Sequence, residues 1–126
     1  MFDDLTIEQL LVLQRGLLEA KFSPNPRDTA LQGSPILAEL SSSIVQAIRE
    51  RFAREGDETR VRQWTEWSRW DKRIIEQEVV REHLRRLEAW QRMSADSQKA
   101  YIRALIAPFE ATDDEVTELI HAADLG

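Results

Sequence analysis

Metal and nucleophile chemistry in this 126-residue chain has two histidines to draw on and no cysteine. His121 follows Glu118 at the Glu-x-x-His spacing, which puts both side chains on one face of a helix. Di-iron bundles use that motif twice and add two carboxylates from other helices. Here it occurs once, in an acidic terminal segment, where chance accounts for it. Glu118 and His121 are therefore the minor metal candidates, and no metal or cofactor is expected.

His83 has valines three and four residues before it and falls on an apolar stripe. That setting favours a buried or interface histidine over a general base. Neither histidine has a neighbour that suggests a serine partner, although triad members need not be adjacent in sequence. Asp113, Asp114 and Glu115 are the remaining acid cluster, with a divalent ion or a diphosphate as its chemistry. A place in the first turn of a helix already explains them, through capping and the helix dipole. Four glycines without a glycine-rich loop leave no phosphate cradle.

Recognition of a partner is what the residue types favour instead. Trp64, Trp67 and Trp70 recur at spacing three, and tryptophan and arginine are enriched at binding hot spots. An irregular stretch over 23–34 holds Pro24 and Pro26, and connections of that length are often functional. Asn25-Pro26-Arg27-Asp28 has the chemistry of a turn. Trp67, Trp70, Arg27 and Asp28 are the expected partner contacts. The competing accounts are an ordinary core for the tryptophans and a plain crossover for the loop.

The elements that must position these residues read as all-α. The pattern predicts a single-domain bundle of about five helices, over 6–21, 35–54, 57–93, 94–107 and 112–123, with no strand candidate. Thr6 and Gln9 form a capping box, and Thr112 with Glu115 forms a second. Ser34 caps the second helix with Pro35 at its first position. Gly56 ends that helix and Asp57 caps the next. Gly16 falls inside the first helix, where it costs up to about 1 kcal/mol against alanine and permits a close approach.

The run from 57 to 93 lacks proline and glycine and reads as one long central helix. Its apolar face changes sides at Ile74-Ile75: the tryptophans lie on one flank, and Val79, His83, Leu87 and Trp90 on nearly the opposite one. A continuous rod of this kind must be covered by different neighbours at its two ends. The alternative is a break near Ser68 to Asp71, where no strong breaker stands.

The net charge is −6, with −5 of it in residues 94–126. An acidic end steers a basic partner. It disfavours nucleic acid, because a helix-turn-helix drawn over the last two helices would present acids to phosphate. No apolar run approaches the roughly 20 residues of a membrane span. Met1-Phe2-Asp3-Asp4 is acidic where a signal peptide is basic, so the expected location is cytoplasmic. The expected function is a non-enzymatic protein-interaction domain: an adaptor, or a small acidic inhibitor of the immunity or antitoxin type. Its partner is another protein, basic at the contact, or a second copy of the chain. The alternative is a helical small-molecule- or metal-binding protein, with or without enzymatic activity, and DNA binding is the weakest option.

Overall fold

A computed structural model describes residues 2–125. Among them run six α-helices: α1 (Ile7–Phe22), α2 (Pro35–Arg54), α3 (Glu58–Trp67), α4 (Ile74–Arg86), α5 (Ala95–Ile106) and α6 (Asp113–Leu125). Two single 3-10 turns, Trp70–Lys72 and Trp90–Arg92, flank α4. The all-helical class stands, and no helix among the described residues is long and apolar enough to cross a membrane.

The helix ends follow local chemistry. Thr6 and Gln9 exchange the two hydrogen bonds of a capping box, and so do Thr112 and Glu115. Ser34, Asp57 and Ser94 each accept an amide three residues on. Helix α2 ends in a Schellman motif. Gly56 donates to Ala53, Asp57 donates to Phe52, and Gly56 takes φ 75°, where a side chain would be strained. The stop between α2 and α3 is thus built into the residues themselves.

The long helix over 57–93 is corrected by the structure. It is two helices, α3 and α4, with an extended residue and a 3-10 turn between them. No residue there breaks a helix on its own. The break is held from a distance: the Trp70 amide donates to the Glu110 carbonyl at 3.0 Å, and the Glu110 amide donates to the Ser68 carbonyl at 2.8 Å. These bonds take the place of two rungs of the helical ladder, giving the Trp70 amide and the Ser68 carbonyl partners elsewhere. The run ends again after Arg86, where Leu87 turns extended and Trp90 folds under. The change of apolar face is therefore a change of helix, and the argument that one rod is sandwiched between separate neighbours falls with it.

The break also divides the tryptophans between two apolar clusters. Leu10, Ile44, Ile48 and Phe52 form the first, among α1 and α2, with Val61 and Trp64 of α3 packed on it. The second is larger. It gathers Val80 and Leu84 of α4, Ile102, Leu105 and Ile106 of α5, and Val116, Leu119 and Ala123 of α6 around Trp70, Trp90, Phe22 and Phe109. Trp64 and Trp67, with ring centroids 5.0 Å apart, join one cluster to the other. Gly16 is corrected too, because a Cβ there would meet nothing within 4 Å.

Candidate functional site

The stretch over 23–34 is an irregular crossover, as its prolines predict, and it lies against α4. Its own turns shape it. The Asp28 carboxylate accepts the Ala30 amide at 3.0 Å, and Leu31 and Ser34 donate to carbonyls three residues back. One side chain then ties it to the helices. Gln32 is only 3 % exposed, although most of its loop neighbours face solvent. Its amide nitrogen reaches the Ser23 carbonyl at 3.4 Å, and its amide oxygen lies 2.7 Å from His83 Nδ1. On the far side of the ring, His83 Nε2 is 2.5 Å from the Tyr101 hydroxyl on α5.

The donors and acceptors in this relay assign one another. With its nitrogen turned to Ser23, Gln32 offers oxygen to the ring, so Nδ1 carries the proton and Nε2 accepts from the Tyr101 hydroxyl. Burial holds the His83 pKa below its ordinary value and pushes the Tyr101 hydroxyl above its own. Both groups are therefore neutral at neutral pH. With both nitrogens engaged, the imidazole acts as a brace and offers no free lone pair to a metal or a substrate proton. Gly33 passes against the same tyrosine: a Cβ there would stand 2.6 Å from its hydroxyl oxygen.

A second polar anchor lies at the end of α1. Lys21 is 1 % exposed, and its Nζ donates to the Ala104 carbonyl of α5 at 2.6 Å. Burial brings its pKa down from 10.5 to about 8. Lys21 and Gln32 thus pin both sides of the loop's departure from the bundle.

Between the loop and α4 lies an open cleft of about 370 Å³. Pro24, Pro26, Val79 and Leu87 give it apolar walls, Gln32 and His83 its polar interior, and Glu78, Glu82 and Arg86 its charges. Those charges are partly spoken for. Glu78 pairs with Arg81, and Glu82 pairs with both Arg85 and Arg86.

The expected contact residues scatter. Arg27 and Asp28 are exposed on the loop, where Arg27 has no ion pair among the described residues and Asp28 shapes the turn. Trp70 is 3 % exposed in the larger cluster. Trp67 is half-buried, 4.8 Å from the Phe109 ring, with the Arg73 guanidinium 5.2 Å above it. Trp70 thus lies inside the larger cluster, and Trp67 packs partly exposed at its margin, both against Phe109. Glu118 and His121 are both exposed on α6, and no group of three metal-ligating side chains forms among the described residues. Gln32 and Tyr101 escaped the sequence reading. His83 showed its burial through its neighbours, but nothing in the sequence paired it with residues 51 and 18 positions away.

The chain matches no protein-family model, no curated protein and no solved structure.

Proposed function

We propose that this chain is a non-enzymatic protein-interaction domain, and that its partner docks on the cleft between the 23–34 loop and α4. The observation that carries this reading is the fastening of the loop. An exposed crossover of this length has no structural need for a buried glutamine relay, whereas a pre-formed wall reduces the ordering cost of binding. The apolar walls, the polar interior and the charged side chains of Glu78, Glu82 and Arg86 are the ingredients of an interface core and its rim. The acidic α6 supports a basic partner, through steering at a distance.

Photo-crosslinking in the source cells tests this. A photoreactive residue at Thr29, in the cleft, should give one discrete protein adduct, and one at Lys99, exposed on α5, should not. Equal adducts from both positions, or none from Thr29, reject the reading.

A second reading has one observation behind it. The cleft volume lies within the range of small-molecule sites, roughly 300–1,000 Å³. Native mass spectrometry of freshly purified protein separates the two: a retained small molecule supports this alternative, and a bare chain or a dimer supports the first.

A further inference from the structure

Leu31, the only large aliphatic side chain between Pro24 and Ser34, is exposed, so no apolar anchor holds the far end of the loop down. What holds it is the relay from Ser23 through Gln32 and His83 to Tyr101. Within that relay the only ring whose ordinary pKa lies near neutrality is His83. We propose that the 23–34 loop is a strap latched by the neutral His83 ring, and that protonating the ring frees the strap from α4 and α5 and so removes one wall of the cleft. The inference concerns regulation of the cleft assigned above, but the latch itself is testable with no partner present.

The neutral ring satisfies both bonds of the relay. One nitrogen must donate to Gln32 and the other must accept from Tyr101. A protonated ring donates at both. The Tyr101 hydroxyl would then have to give up its donation to the ring and accept from it instead. It would also leave a buried cation with no carboxylate bonded to it, which is costly. The charged and titratable groups around the ring do not offset this. The loop lines the cleft only with uncharged side chains: Ser23, Pro24, Pro26, Thr29 and Gln32. From α4 come Glu78, Glu82 and Arg86, the two carboxylates already paired with arginines of their own helix. From α5 comes Tyr101, and the Lys21 ammonium of α1 is spent on Ala104. Helix α6 meets α4 along Arg81, Leu84 and Arg85, away from the cleft lining.

A released ring takes up its proton near the ordinary histidine value of about 6.5. The latched ring resists, since burial lowers its pKa. Opening is therefore favoured as pH falls below about 6.5. The test is one NMR titration of the whole chain from about pH 7.5 to about pH 5.5, following the His83 ring and the exchange of the Ala30, Leu31 and Ser34 amides. After correction for intrinsic exchange, protection at these amides should fall about fivefold with the midpoint of His83. Protection at Ile48 and Ile102, which exchange only on global unfolding, should stay well above that of the loop throughout. In His83→Gln the loop's pH dependence should vanish, and in Asp28→Asn, which keeps the turn acceptor, it should remain. Loop protection that stays constant across the range, or a pH dependence that survives in His83→Gln, overturns the proposal. So does its loss in Asp28→Asn. If His83→Gln does not fold, the wild-type titration decides alone: loop and ring must move together.

Discussion

The Trp67 and Phe109 rings lie 4.8 Å apart, tilted by 48°, and Trp67 is also 5.0 Å from Trp64. This makes Trp67 the joint between two apolar clusters that otherwise belong to different helices. Trp67→Ala should therefore cost about 3 kcal/mol, and Trp70→Ala about 4 kcal/mol, as large aromatic truncations do. Chemical unfolding measures both. If Trp67→Ala kept its stability, the ring's place would be at an interface after all.

Lys21 sets an alkaline signature. Its folded pKa is near 8, below lysine's ordinary 10.5. Between these values the unfolded chain binds the proton and the folded chain does not, so stability rises with pH from about 8 toward about 10. Tyr101 reverses the slope above its ordinary value of about 10, because the unfolded chain ionises first. Lys21→Met should raise stability at neutral pH by about 1–2 kcal/mol, the desolvation relief less the lost bond to Ala104. It should also flatten the rise. Guanidinium unfolding at a series of pH values reads both effects.

His83 acts on the acid side. Its folded pKa is depressed, so the unfolded chain takes up the proton first as pH falls. Its contribution is present in full above about 6.5 and is lost progressively below that value. Gln32→Ala, which strips the acceptor from Nδ1, should cost about 1–3 kcal/mol through the unpaired buried donor. Thermal unfolding followed by circular dichroism should show this near neutral pH.

The two helix-side glycines should respond with opposite signs. Gly16 lies on the exposed side of α1 with open space around it, so Gly16→Ala should stabilise by up to about 1 kcal/mol. At Gly33 the new methyl would strike the Tyr101 ring and hydroxyl. Since His83 holds that hydroxyl, Gly33→Ala should destabilise and displace the tyrosine from the histidine. The Tyr101 ring signals in NMR distinguish this from a uniform loss of stability.

Much of the architecture was legible because it is local. Thr6, Ser34 with Pro35, Asp57, Ser94 and Thr112 begin helices at the positions their side chains predict, since a cap bonds an amide only a few residues away. Gly56 stops α2 for the same reason. The irregular loop followed from its prolines. The cleft beneath it did not, because its second wall is a helix some fifty residues further on.

By itself, then, the sequence determined the helical class, most helix boundaries and the crossover, all of which rest on interactions within one or two turns of chain. Only the tertiary structure decided the rest. Nothing between Trp67 and Arg73 forbids a continuous helix; the break exists because Glu110, some forty residues later, takes up the backbone groups of Ser68 and Trp70. With that long-range pairing made, Trp70 lies inside the larger cluster and Trp67 at its margin. The Gln32–His83–Tyr101 relay is of the same kind, a set of polar groups whose partners become neighbours only once three segments have packed.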